Sequence, residues 1–307
     1  VRWTGQVGGR PCVVVLAGGD PAKAVAVHDR LGPGVDRHLV VDAPADAPDA
    51  ADHLDLPDEA FLDQSRQVQQ AWGVTTATGP TVAVVDRAVR VASVHAIDDV
   101  DEVAATVSDD LADLQDRHRD VPPPVLFVPA AISAGMADRV RRAWADADPR
   151  PTGVETTADG RRVEALDHLR KRRRDHVVEE PELLRALTRD VGRRVVPEVR
   201  KAFGFSTTAF EGFKVGAYDA DDEGFFDAHR DNLSPATAHR RFALSLNLDD
   251  DYDGGELVFP EYADRPLRPA AREALVFSGS LLHAVRPVTR GRRLVLLSFL
   301  FDAGSRG

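Results

Sequence analysis

The sequence runs to 307 residues, more than one ordinary core fills and enough for two domains of roughly 100 to 200 residues each. Hydrophobic residues at 43% beside 29% charged residues exclude a disordered chain, and a formal net charge of -11 with the signs interspersed excludes the positive field that a nucleic-acid backbone requires. The single cysteine, Cys12, excludes an internal disulfide and fits a reducing, cytoplasmic setting; no secretory leader pattern opens the chain, and no apolar run approaches the ~20 residues of a membrane helix.

The first element is a buried strand at 12–17, broken by Gly18, Gly19, Asp20 and Pro21 before a helical stretch through Leu31. A second strand at 37–42 precedes a Pro- and Asp-rich loop, and the spacing predicts an amphipathic helix over 58–72. Two β-branched runs, 81–86 and 89–94, read as a hairpin, and a helix from 97 to 118 closes the unit. This half resembles the thioredoxin-like fold in its peroxiredoxin-type variant. The likeness is carried by 56–74, by Pro80 before a strand, and by Val85, Asp86 and Arg87 ahead of the next strand. Where a peroxiredoxin places its nucleophile, at the start of the helix after the first strand, the segment 18–25 has no cysteine. Cys12 lies at the beginning of a strand, without a helix N-terminus to stabilise a thiolate, so it reads as a small buried side chain.

The segment 116–124, ending in Pro122, Pro123 and Pro124, reads as a linker, because consecutive prolines cannot continue a helix. The expected domains are therefore 1–119 and 120–307. Beyond the linker a strand is expected at 125–128 and amphipathic helices at 133–147 and 180–203. Short apolar runs punctuated by Gly, Asp and Pro then continue to the end, the pattern of an antiparallel β sandwich or barrel.

The chemistry concentrates in that second half. His229 and Asp231 stand two residues apart on an extended chain, where alternation puts both side chains on one face. A second imidazole from another strand completes a set of three, and two histidines lie downstream. His239 follows Ser234, Pro235, Ala236 and Thr237 in a loop, whereas His283 sits inside an apolar strand and is the better third ligand. Two histidines and one carboxylate on one face of an octahedron leave three positions open, as in non-haem Fe(II) oxygenases. Zinc accepts the same ligands, but a further feature argues for iron. Arg293 follows His283, and a β-turn at Arg290 and Gly291 would return the next strand alongside that of His283. A guanidinium there meets the distal carboxylate of a 2-oxo diacid bidentately.

From 125 to 302 the chain resembles the prolyl 4-hydroxylase branch of the 2-oxoglutarate/Fe(II) dioxygenases. Tyr218, Phe225 with Phe226, His229, Asp231 and Asn232, Gly254, Gly255, Glu256 and Leu257 with Phe259 and Pro260, and the block from His283 to Arg293 fall in the family's order. The resemblance implies a double-stranded β-helix, or jelly roll, with flanking helices, joined to the thioredoxin-like domain in a two-domain α+β chain. It implies that His229, Asp231 and His283 hold Fe(II), that Arg293 binds the far carboxylate of 2-oxoglutarate, and that Tyr218 hydrogen-bonds the cosubstrate. It further implies dioxygen as oxidant, ascorbate as reductant, and hydroxylation of a C–H bond in a prolyl residue or proline-like molecule. Ala284 departs from the acidic residue that close relatives often carry after the distal histidine. The carboxylate at Asp231 favours hydroxylation over halogenation, since halogenating relatives vacate that position.

Plainer readings stand beside these. Tyr218 is equally a half-buried aromatic whose hydroxyl meets solvent. Asn247 either faces the pocket or makes a structural hydrogen bond. The basic run Arg170, Lys171, Arg172, Arg173 and Arg174 guides an acidic substrate or, the preferred reading, forms a solvated face. Two rival functions remain: a sensor that binds metal and 2-oxoglutarate without turnover, using the first half for docking, and a peroxidase centred on Cys12.

Overall fold

A strand whose residues are apolar at every position has to be covered on both faces, and Cys12–Leu16 is buried throughout for that reason. The computed structural model describes residues 9–42, 60–63, 67–73, 79–117, 121–158, 161–263 and 265–305. It divides into two units, Val1–Val121 with Pro260–Ala263, and Pro122–Phe259 with Asp264–Gly307. Among the described residues no helix is long and apolar enough to cross a membrane.

In the first unit, Cys12–Leu16 is the centre of a five-stranded sheet ordered Phe61–Asp63, Arg37–Asp42, Cys12–Leu16, Thr81–Val85, Val91–Ala96. The first three strands run parallel and the last two antiparallel. Val13 and Val15 pack on Val27 and Val107 from the helices Pro21–Arg30 and Val100–Arg117. Val14 and Leu16 face the other way, against Val68 and Trp72. Asp20 caps the first helix by accepting from Lys23 N.

The helix expected over 58–72 is corrected: Phe61–Asp63 is a strand, and the helix among the described residues is Gln67–Ala71. Phe61 and Leu62 register with Val40 and Val41, so the sheet edge captures them. The buried carboxylate of Asp63 then accepts the Gln69 N–H at 3.0 Å. Residues 58–59 and 64–66 of that expectation lie outside the described residues. The helix expected over 180–203 is two, Pro181–Arg194 and Val196–Phe203, because Pro197 has no N–H to offer and its ring crowds the preceding turn.

Among the described residues the second unit holds two large antiparallel sheets and a separate two-stranded one, Val154–Ala158 with Arg161–Ala165. The larger is ordered Val125–Val128, Ala274–Ser278, Phe242–Asn247, Val288–Phe301, Lys214–Asp219, Arg174–Val177, Arg150–Pro151. The smaller is ordered Lys171–Arg172, Phe225–His229, His283–Val285, Leu257–Val258. Alternation assigns the two faces of the larger sheet. Val215, Ala217, Leu244, Leu246, Val276, Leu294 and Leu296 enter a core with Val140, Leu183, Leu187 and Val191 of the helices. Ser245, Asn247, Phe277 and Arg293, at the intervening positions, turn away from that core. Phe277 meets Phe259 and His283 edge-on, with ring centres 5.1 and 4.6 Å apart, which places the smaller sheet over this second face.

The β-turn expected at Arg290 and Gly291 does not form. Val288–Phe301 runs through both residues as one strand, and the chain leaves the smaller sheet ahead of it, at Arg286 and Pro287. Gly291 adopts φ +70°, and a Cβ there would meet Asp251 O at 2.8 Å. Gly291 stays in register with Tyr252, and the one register shift of this pairing falls between Arg290 and Val288, without a reversal. Arg293 therefore enters the interior from the larger sheet, while His283 comes from the smaller one.

Leu187 is fully buried between helix and sheet. Leu187→Ala is expected to lower unfolding free energy by about 2–5 kcal/mol, measured by denaturant titration; a loss below about 1 kcal/mol would show that the helices do not cover this sheet face.

Candidate metal and cosubstrate site

Strand pairing brings the two histidines together. His229 ends its strand directly opposite His283, which begins the neighbouring one, and their ring centres are 4.3 Å apart. Asp231 lies just beyond, its backbone N–H donating to Gly279 O at 2.9 Å. Its carboxylate spans the pair, with Oδ1 3.7 Å from His229 Nε2 and Oδ2 3.6 Å from His283 Nε2. One ligand atom from each of the three lies within 4.8 Å of the others. Gly279 permits this closeness, since a Cβ there would come within 2.9 Å of Arg240 O.

Hydrogen bonding fixes which nitrogens are available. His229 Nδ1 lies 2.8 Å from Asp227 O and His283 Nδ1 lies 3.0 Å from Leu281 O. A carbonyl only accepts, so each Nδ1 carries the proton and each Nε2 lone pair points toward Asp231. Burial, and next the His283 imidazole beside it, push His229 well below the ordinary 6.5, which keeps the ring neutral as a ligand must be. Phe226 stacks on His229 at 3.6 Å and holds the ring plane. Asp231 Oδ2 is buried with no hydrogen-bond partner among the described residues. A buried carboxylate oxygen without a donor is costly, and a cation seated between the two Nε2 atoms removes that cost.

Arg293 is 1% exposed, and no carboxylate among the described residues pairs with it. Its Nε and Nη2 donate to Asn247 Oδ1 at 3.1 and 3.0 Å, and Nη2 also donates to Ser245 Oγ at 3.2 Å. These neutral acceptors orient the guanidinium without neutralising it, so its surroundings are suited to an anion. Asn247 is thus held structurally, donating to Tyr252 Oη and Pro269 O at 2.6 Å each, and through Oδ1 it also aims Arg293. Tyr218 is directly opposite Arg293 in register and only 2% exposed, so the reading of a hydroxyl in solvent is overturned.

Two sequence readings change here. The basic run 170–174 is not a solvated face: Lys171 and Arg173 are buried. Arg173 pairs bidentately with Asp175, at 2.6 and 2.7 Å, and its Nη1 donates to Tyr218 Oη at 3.2 Å. Burial disfavours the Asp175 anion, but Arg173, Lys214 and Lys171 outweigh burial and hold its carboxyl below the usual carboxylate range. The available signal was the period of two, which sends alternate members of a charged strand inward, together with the acid two places after Arg173. Cys12 is the second. Burial, with Asp36 and Asp86 nearby, pushes its thiol up to about 12, which leaves the peroxidase reading without a thiolate. His239 stays apart, against Phe301 and Glu211.

Residues 213–301 match the family model of the 2OG-Fe(II) oxygenase superfamily. Tyr218, His229, Asp231, His283 and Arg293 all fall inside the matched residues. A PKHD-type hydroxylase of Xanthomonas euvesicatoria is 32% identical over 102 residues, 32% of this chain and 45% of that protein. One from Pseudomonas putida is 29% identical over 180 residues, 55% of this chain and 74% of that protein. The match thus spans less than half of the first relative and about three quarters of the second. Among solved structures, a Trichoplax adhaerens prolyl hydroxylase in complex with a hypoxia inducible factor peptide fragment aligns at TM-score 0.47 and 14% identity, over 60% of this chain and 86% of its own. A Pseudomonas putida prolyl-4-hydroxylase aligns at TM-score 0.43 and 20% identity, over 65% of this chain and 99% of its own.

His283→Ala is expected to weaken Fe(II) binding by more than about 100-fold in an anaerobic titration, since even outer-sphere changes at metal sites cost 10- to 100-fold. His239→Ala should leave that affinity unchanged. Equal losses in the two variants would place the metal elsewhere.

Proposed function

We propose that this chain is an iron(II)- and 2-oxoglutarate-dependent hydroxylase, with iron held by His229, Asp231 and His283. The observation that carries the reading is a three-residue ligand set and an acid-free buried guanidinium on opposing sheets of one small sandwich. Iron bound there would supply the activation of dioxygen, coupling decarboxylation of 2-oxoglutarate to succinate with oxidation of a substrate C–H bond. The remaining work belongs to the chain. The Asp227 and Leu281 carbonyls hold the imidazole tautomers, and Phe226 and Phe277 fix the ring planes and exclude water. Arg293, aimed by Asn247 and Ser245, binds the distal carboxylate, and Tyr218 supplies a hydroxyl to the same ligand.

The names of the relatives support a prolyl residue in a peptide as substrate; a proline-like small molecule as an alternative, and ascorbate as the reductant that keeps iron ferrous, belong to the same proposal. For the first unit we favour a thioredoxin-like fold without thiol chemistry. The support is its strand–helix–strand parallel pair, followed by an antiparallel hairpin and a closing helix, with the first strand at the centre. The buried lone thiol suits a reducing cytoplasm.

Anaerobic addition of Fe(II) and 2-oxoglutarate should give a charge-transfer band in visible absorbance that His283→Ala abolishes. Succinate should follow on admitting oxygen. A band without succinate across peptide and proline-like candidates would favour a sensor over an enzyme. Arg293→Met is expected to raise the dissociation constant for 2-oxoglutarate by roughly 30- to 1000-fold, as losing one partner of a buried charged pair does, while leaving Fe(II) affinity in place. An unchanged constant would remove Arg293 from the cosubstrate site.

A further inference from the structure

A phenol has one proton to give and lone pairs to accept with. Tyr218 Oη already accepts from Arg173 Nη1 at 3.2 Å, so its proton must point elsewhere. Tyr218 is buried, and among the described residues no acceptor meets that proton. The guanidinium carbon of Arg293 lies 5.6 Å from the centre of the Tyr218 ring, on the cosubstrate side. That of Arg173 lies 5.7 Å from the same ring and 5.7 Å from the ring of Phe226, which stacks on His229. Tyr218 therefore stands in a row of contacts that runs from the metal triad to the anion-seeking Arg293.

Arg173 cannot swing away from this row. Both its Nε and Nη2 are taken by Asp175, whose carboxylate also accepts from Thr152 Oγ1 at 3.0 Å and lies 3.7 Å from Lys214 Nζ. With its charge met by Asp175, the free edge of Arg173 is the Nη1 that meets Tyr218. A planar fork can hold a carboxylate on one edge and a hydroxyl on the other; a lysine ammonium cannot fix both directions.

We propose that the Arg173–Asp175 pair is a positioning device: by occupying the acceptor side of Tyr218 Oη it turns the hydroxyl proton toward a carboxylate of bound 2-oxoglutarate. This rests on the reading of the site as a 2-oxoglutarate pocket. Arg173 itself makes no contact with the cosubstrate and acts through Tyr218.

The test is a thermodynamic cycle on 2-oxoglutarate affinity, read from the charge-transfer band of the anaerobic Fe(II) protein, with Fe(II) affinity and circular dichroism measured on every variant. The variants are Tyr218→Phe, the double change Arg173→Met with Asp175→Asn, which removes the pair without stranding a buried charge, and the triple combination. Tyr218→Phe is expected to weaken 2-oxoglutarate binding by roughly 10- to 100-fold, the loss of a hydrogen bond to a charged group. The pair variant should weaken it to a similar degree, and the triple variant no further than the worse of the two. Losses that multiply, or a pair variant that binds as wild type does, overturn the proposal. Should the pair variant not fold, Arg173→Lys in the wild-type and Tyr218→Phe backgrounds decides: a loss seen only in the first supports the proposal, and an equal loss in both overturns it. A wild-type protein with no band overturns the site reading, and this inference with it; a wild-type band with multiplicative losses overturns the inference alone.

Discussion

The site depends on the register of one short antiparallel pair. His229 and His283 are opposite each other in the smaller sheet, and their side chains share a face only in that register. A slip of one residue would send one imidazole to the far side of the sheet. Register is held from both flanks: Phe226 pairs with Val285 on one side, and the Asp231 N–H bonds Gly279 O on the other. The irregularity between Phe226 and His229 lets the Phe226 ring lie on the imidazole three residues later instead of beside it. The same few hydrogen bonds therefore shape the strand pair and bring the ligand atoms together.

The second requirement is an unbalanced charge held inside a sandwich. A buried cation without an acid is expensive to fold around, and Arg293 is such a cation. Arg173, almost as buried, has Asp175 as a bidentate partner and is structurally complete. The contrast separates their roles. The paired arginine stiffens the wall, and the other is the one that the proposed reading completes with an anion. An Asp231 oxygen without a hydrogen-bond partner among the described residues at one end, and a guanidinium held only by neutral acceptors at the other, suit the proposed occupants, a cation beside a dicarboxylate.

The amino-acid pattern carried different parts of this structure unequally. The convergence of His229, Asp231 and His283 was legible because each member has a distinctive residue type, and a spacing of two on an extended chain is a strong geometric constraint. Arg293 was legible as a residue but not as a path. The Arg290 and Gly291 pair reads locally as a turn, and only the pairing of Val288–Phe301 with strands on both sides shows a continuous strand with a left-handed glycine in it. Arg173 was hidden by its neighbours, since five basic residues in a row look solvated until alternation and Asp175 reveal which members face inward. The 58–72 helix failed for a related reason: Phe61 and Leu62 suit a helix face and a sheet edge equally, and the partners at Val40 and Val41, some twenty residues earlier, decide between them. Pro197 alone would have divided the long second helix, had its missing N–H been weighed above the apolar periodicity.

The first unit follows the same logic to a different end. Its central strand is buried on both faces, and the chain leaves that strand through a turn at Gly18 and Gly19. Gly18 N–H donates to Gln69 Oε1, and a Cβ at Gly18 would lie 2.0 Å from Gly79 O, so the turn is packed shut against its own unit. The one sulfur lies inside the strand, where burial keeps it protonated. In the second unit two sheets face each other, with an Asp231 oxygen that lacks a hydrogen-bond partner among the described residues on one side and the buried Arg293 guanidinium on the other.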